Sequence, residues 1–221
     1  MDFDRPLTAD SQEEQEENLR RTDNGPTVDN EEELLREEFG EPAANGVYGA
    51  VEESGEEELL RGQVITPDHR GAAASIEAMV QAAEKWLGVC EPNGIQRWYC
   101  SKTGVCGNFP WCDAAVTYWG WVSGNQSAVT FGGYYAYTVA HAEAFRKRGQ
   151  WHTDVAGIRR GDIVFFDWER SNSISRIDHV GLVTSTPGRA VRTIEGNTSD
   201  CCKRRERYAN TIVGYGRPKY K

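Results

Sequence analysis

Gly161-Asp162-Ile163-Val164-Phe165-Phe166-Asp167-Trp168, followed after a polar loop by Asp178-His179-Val180-Gly181-Leu182-Val183-Thr184, decides the fold. Both runs are short, dense in β-branched and aromatic residues, and bounded by turn formers, the signature of strands. Two further runs continue the pattern, Ala190-Val191-Arg192-Thr193-Ile194-Glu195 and Ile212-Val213-Gly214-Tyr215-Gly216-Arg217-Pro218. No helical period separates them, so consecutive strands pair antiparallel through short turns.

Upstream the periodicity changes. Ile76, Met79, Val80, Ala83, Trp86 and Leu87 recur at helical spacing from Ala73 and stop at Gly88. Cys112 to Val122 is a second helix, with Ala115, Val116, Trp119 and Val122 on overlapping faces. Tyr134 to Arg148 is a third, basic at its C-terminal end. Residues 89–110, rich in Gly, Pro, Asn and Cys, are expected to form an irregular loop pinned by cysteines or packing. Helices first and an antiparallel sheet after is the α+β pattern.

The first 70 residues differ from the rest. They carry 21 Asp/Glu against 6 Lys/Arg, whereas residues 71–221 carry 13 against 19, so segments of −15 and +6 make up the net charge of −9. With Phe3, Phe39 and Tyr48 as the only aromatics, residues 1–70 bury too little apolar surface to offset chain entropy and are expected to be a largely disordered acidic arm. Glu31-Glu32-Glu33-Leu34-Leu35-Arg36 recurs as Glu56-Glu57-Glu58-Leu59-Leu60-Arg61. The repeat is either low-complexity acidic sequence or a short helix that docks its leucine pair on a partner, used twice. Residues 71–221 are the expected catalytic domain. Their basic balance suits a polyanionic substrate or partner.

No apolar run approaches the roughly 18 residues that span a bilayer, and Met1-Asp2-Phe3-Asp4 lacks the basic start and apolar core of a signal peptide. A chain made in the cytoplasm and not inserted in a membrane is expected. A target outside the cell would then require delivery by a pore, an injection device or lysis. Of six cysteines, Cys90, Cys100, Cys106, Cys112, Cys201 and Cys202, a reactive Cys112 leaves five, hence at most two disulfides and one spare thiol. No CxxC pair occurs, so zinc on Cys90, Cys100 and Cys106 fits no common spacing.

Three stretches carry chemistry. Pro110-Trp111-Cys112 puts a thiol at a helix start, where unpaired backbone N–H groups lower a thiol's pKa from its free value of about 8.5. His179 begins a strand, and Glu195 on the next strand can reach its far ring nitrogen, with Asn197 two residues on. A thiol, an imidazole and an orienting carboxylate are the parts of cysteine-based amide cleavage. Asp178 should point to the other strand face and is the weaker candidate acid. His69, His141 and His152 are expected to be surface or packing residues. Among the many aromatics Trp111, beside the thiol, is expected to face substrate. The cluster Cys202-Lys203-Arg204-Arg205-Glu206-Arg207 reads as a solvated hairpin turn, or else as a contact to an anionic polymer.

Phe109-Pro110-Trp111-Cys112-Asp113-Ala114-Ala115, Gly161-Asp162-Ile163-Val164-Phe165-Phe166, Asp178-His179-Val180-Gly181-Leu182-Val183 and Ile194-Glu195-Gly196-Asn197-Thr198, in this order, resemble the CHAP domain, the cysteine, histidine-dependent amidohydrolase/peptidase. Gly214-Tyr215-Gly216-Arg217-Pro218 also resembles the last strand of such domains in bacteriophage lysins. The resemblance covers about residues 72–220. It implies a papain-like, NlpC/P60-like α+β fold that cuts an amide bond of peptidoglycan, as an endopeptidase or an N-acetylmuramoyl-L-alanine amidase. In that scheme Cys112 is the nucleophile, His179 the general base and then acid, Glu195 the residue that orients His179, and Asn197 the supporting amide. Some relatives bind calcium in an acidic loop before the nucleophile. Here residues 89–110 hold one acid, Glu91, so neither calcium nor another cofactor is expected. A phage endolysin or virion-associated lysin acting at the wall is the leading expectation, with no nucleic-acid partner. The alternatives are an injection-system toxin of the same chemistry, or a non-catalytic assembly protein in which the acidic repeats do the work and residues 71–221 only bind the wall.

Overall fold

The computed structural model describes residues 74–221. The acidic arm, with both copies of its repeat, lies outside them. Five α-helices precede a six-stranded sheet: α1 (Ile76–Glu84), α2 (Gly94–Thr103), α3 (Cys112–Val122), α4 (Gln126–Val129), α5 (Thr138–Lys147), then β1 (Trp151–His152), β2 (Ile163–Phe166), β3 (His179–Ser185), β4 (Val191–Thr198), β5 (Cys201–Arg207) and β6 (Ile212–Gly216). The strand order is β1-β6-β2-β3-β4-β5 and every pairing is antiparallel. The α+β architecture expected of a papain-like domain is what the chain forms. Among the described residues no helix is long and apolar enough to cross a membrane.

Local chemistry sets the helix ends. The Ser75 hydroxyl caps α1 by accepting from the Ala78 amide. α2 runs through the expected irregular loop and corrects that expectation. Asn93 accepts from the amides of Ile95 and Gln96 while the Gln96 side chain accepts from the Asn93 amide, a complete capping box, and Gly104 at φ 79° ends the helix. The Gly, Asn and Cys content that reads as loop is therefore helix punctuation. The third helix begins later than its sequence suggests, at Thr138, and residues 134–137 have no regular structure.

Cys112 to Gly120 are buried without interruption, so α3 is the central helix with partners on every side. Its body packs on β3 and β4. The sheet separates two apolar clusters. Ile163, Phe165, Val180, Leu182 and Ile194 join the helices, while Val164, Phe166, Val183, Val191, Ile212 and Tyr215 form a cluster on the opposite face. The period of two along β3 sends Val180 and Leu182 towards α3, while His179 is the first residue of that strand and pairs with Phe166, the last of β2.

Two strands were not legible as strands. β5 occupies the stretch expected to be a turn, and pairs with β4 from Val191↔Arg207 to Thr198↔Cys201. As an edge strand it tolerates charges at most positions, and Arg192 offsets Glu206 directly across the ladder, Nε to Oε1 2.7 Å. β1 is two residues long and gains its order from pairing with β6.

Two disulfides form, Cys90–Cys201 and Cys100–Cys106, and among the described residues Cys112 and Cys202 remain as buried free thiols. This is the expected limit of two bridges and one spare thiol. Of the vicinal pair, Cys201 is bridged and Cys202 is not.

Candidate active site

The candidate residues lie on three elements, α3, β3 and β4; β3 and β4 pair with each other and both pack on α3. Trp111, at the N-cap of α3, supplies no side-chain acceptor, so the first N–H groups of the helix are left to other acceptors. Cys112 follows as the first helical residue and is 2% exposed. The helix approaches β4 closely because Gly196 has no side chain: a Cβ there would stand 2.6 Å from Ala115 Cβ and 2.9 Å from the Trp111 ring. Glu195 and Asn197 flank that contact. On β3, Gly181 leaves room for the Glu195 side chain, since a Cβ at Gly181 would lie 2.7 Å from Glu195 Cγ.

His179 and Glu195 are joined directly, Nε2 to Oε2 2.9 Å, and both are buried. With Nε2 committed to the carboxylate, Nδ1 is the ring nitrogen left for a thiol. Glu195 has two further partners that sequence reasoning missed. Thr193 Oγ1 donates to Oε1 at 2.5 Å, and Arg207 donates Nε to Oε1 at 3.0 Å and an Nη to Oε2 at 2.7 Å. Burial alone would push the Glu195 carboxyl up, but the Arg207 guanidinium and the His179 hydrogen bond hold it well below the usual carboxylate range. Arg207 gives no signal in sequence, being one of four basic residues in a stretch that reads as a turn.

For Cys112 the balance runs the other way, and corrects the expectation of a lowered pKa. Burial pushes the thiol well above its ordinary value and Asp113 adds to this. The amides of Asp113 and Cys112 pull it down, and Glu195 pushes it up. The helix-start effect is present but smaller than desolvation. In this state the sulfur is a thiol that must hand its proton to a base. No hydrogen bond joins it to His179 here; nucleophile and base are often farther apart without substrate than in the reacting complex.

The remaining candidates divide. Asn197 takes a left-handed backbone, φ 55°, at the bulge between Glu195 and Thr198, a conformation Asn tolerates. Trp111 is fully buried against Gly196 and presents no surface to a substrate, contrary to expectation. Asp178 Oδ2 accepts the Trp168 amide at 3.0 Å, a structural bond rather than a contact to His179. His141, expected on the surface or in packing, is fully buried with Nδ1 2.7 Å from Asp113 Oδ1. Among the described residues no group of three or more His, Cys, Asp or Glu could hold a metal ion.

Residues 99–197 match the family model of the CHAP domain. They form a CHAP domain. The CHAP segment begins within α2 and ends at Asn197, so it contains Cys112, His179, Glu195 and Asn197, and stops before β5 and Arg207. No curated protein and no solved structure matches the chain. The CHAP assignment supports a cysteine-dependent amidohydrolase or peptidase activity of the peptidoglycan-hydrolase kind, and the α+β architecture agrees with the papain-like fold of that family.

Proposed function

We propose that the chain is a phage-associated lysin that hydrolyses an amide bond of peptidoglycan through an acyl-enzyme on Cys112. The observation that carries the chemistry is the buried His179–Glu195 pair on two strands packed by the helix that begins at Cys112. His179 Nδ1 takes the thiol proton as sulfur attacks the carbonyl carbon. The C–N bond then breaks and the same proton passes to the departing amine. Water, deprotonated by His179, attacks the thioester, releasing the carboxylate and restoring the thiol. The uncapped amides at the start of α3 are suited to stabilise the oxyanion. The wall as target is supported by the CHAP assignment. A phage origin is supported by the likeness of Gly214-Tyr215-Gly216-Arg217-Pro218 to the closing strand of lysins, and an assembly-bound form by the repeated Glu-Glu-Glu-Leu-Leu-Arg of the acidic arm. The bond is either a stem-peptide or cross-bridge amide, or the one between the sugar lactyl group and its first alanine.

Purified peptidoglycan incubated with the full chain should lose turbidity and release new amino groups. Cys112→Ala should abolish both while the protein stays folded. Full lytic activity in Cys112→Ala would refute the mechanism. Mass spectrometry of the released fragments assigns the bond.

A further inference from the structure

Arg207 stands outside the residues that match the CHAP model, yet it is built into the candidate site. On the β4–β5 ladder it lies opposite Val191, on the face shared by Thr193 and Glu195, so its side chain runs along that face to the carboxylate two ladder steps away. There it makes the fork-to-fork contact, one N–H to each oxygen. Thr193 Oγ1 and His179 Nε2 supply the other two donors. Each Glu195 oxygen therefore meets two donors, close to the full capacity of about four acceptor sites for an ionised carboxylate. Glu195 is 0% and Arg207 6% exposed, so water does not compete.

The guanidinium has its own support. Its central carbon lies 4.7 Å from the Trp168 ring centroid and 5.4 Å from that of Phe166. The same two rings lie 5.6 and 6.1 Å from the imidazole of His179. Phe166 and Trp168 are themselves stacked, 5.6 Å apart with 6° between planes. Arg207 and His179 are thus held by one aromatic platform and joined through one carboxylate.

We propose that Arg207 is a positioning residue of the hydrolytic site: it fixes Glu195 as an oriented anion, so that Glu195 holds the Nε2–H of His179 and keeps Nδ1 free for the thiol. This rests on the reading of Cys112, His179 and Glu195 given above. A carboxyl buried without a cation takes up a proton. A protonated Glu195 would offer His179 a donor in place of an acceptor and favour the wrong tautomer, the fault that makes replacement of a triad acid so damaging. Lysine would supply charge without the two-pronged geometry.

The test uses the full chain, purified peptidoglycan and rates measured from acid to alkaline pH, with thermal melting as the control for folding. The charged and titratable groups facing Glu195 are Arg207 and Cys202 on β5, His179 on β3 and Cys112 on α3. Arg207→Met should lower the rate at neutral pH by at least about tenfold and move the acid limb of the profile towards neutrality, as Glu195 protonates more readily. Arg207→Lys should recover part of the rate and part of the limb. In a Glu195→Gln background, where no anion remains to hold, Arg207→Met should change the rate by no more than about twofold. Arg207→Met with a wild-type rate and acid limb would overturn the proposal, as would losses for Arg207→Met and Glu195→Gln that multiply in the double variant. If Arg207→Met does not fold, the lysine variant decides: a lowered rate with a shifted limb supports the role, an unchanged profile overturns it. Failure of the underlying reading is separately visible, because Cys112→Ala or Glu195→Gln would then retain activity.

Discussion

Asp113 follows the candidate nucleophile directly and turns away from solvent onto His141, both side chains being 0% exposed. Both imidazole nitrogens face acceptors, Asp113 Oδ1 at 2.7 Å and the Val129 carbonyl at 2.9 Å, and the ring is stacked on Tyr135 at 4.4 Å between centroids. The second Asp113 oxygen finds no partner among the described residues. Among the described residues His141 is therefore the one side chain that holds this buried carboxylate, and with it the first turn of α3. His141→Phe keeps the stack but strands Asp113, and should cost about 3–5 kcal/mol, the usual consequence of removing one partner of a buried pair. Urea unfolding monitored by circular dichroism checks this; a loss below about 1 kcal/mol would mean that Asp113 finds another donor. The sequence shows His141 only as a helical residue, because its partner lies 28 positions away on another helix. The same limit applies to Cys112. Its place at a helix start is legible from Pro110-Trp111-Cys112, but the burial that outweighs the helix start is a property of the packed helix.

Between elements, the contact that aligns the site is made by glycines. α3 meets β4 where Ala115 and the Trp111 ring close on Gly196, and β3 admits the Glu195 side chain at Gly181. Gly196→Ala would place a methyl group 2.6 Å from Ala115 Cβ. Neither α3, buried along most of its length, nor a central strand yields easily, so the variant should lose about 1–3 kcal/mol of stability. It should lose more activity than that loss of folded protein explains, because Glu195 and Asn197 flank the displaced position. Melting temperature and lytic rate measured on the same sample separate the two, and an unchanged rate would show that the helix-to-strand spacing does not set the chemistry. Such close approaches explain which elements the sequence reveals. α1, α3, β2, β3, β4 and β6 carry apolar periodicity, and they are legible from it. α2 is hidden because its stability comes from the Asn93–Gln96 capping box and Gly104 rather than from a clear apolar face. β5 is hidden because an edge strand with a buried Cys202, a buried Arg207 and charges between them satisfies no alternation of apolar and polar residues.

Across the whole molecule, two segments distant in sequence are tied at one place. Residues 88–91 run beside β5, with Gly88 N to Cys202 O at 2.8 Å, Cys202 N to Val89 O at 2.9 Å and Glu91 N to Asp200 O at 2.9 Å, and Cys90–Cys201 makes that junction covalent. The bridge spans 111 residues and encloses α2 to α5 and β1 to β4, whereas Cys100–Cys106 spans 6. Cross-links restrict the unfolded chain in proportion to the logarithm of the loop they close, so the long bridge should contribute about 2.5 kcal/mol more than the short one. Replacing both members of a pair by serine avoids exchange with the free thiols. Cys90→Ser with Cys201→Ser should therefore lower the melting temperature by several degrees more than Cys100→Ser with Cys106→Ser, at about 2–4 °C per kcal/mol for a domain of this size. It should also cost activity, since Cys201 closes the turn that begins at Asn197, where Asn197, Ser199 and Asp200 all hold left-handed backbones. Equal melting shifts for the two pairs would show that backbone pairing of residues 88–91 with β5 already restricts the chain as much as the bridge does.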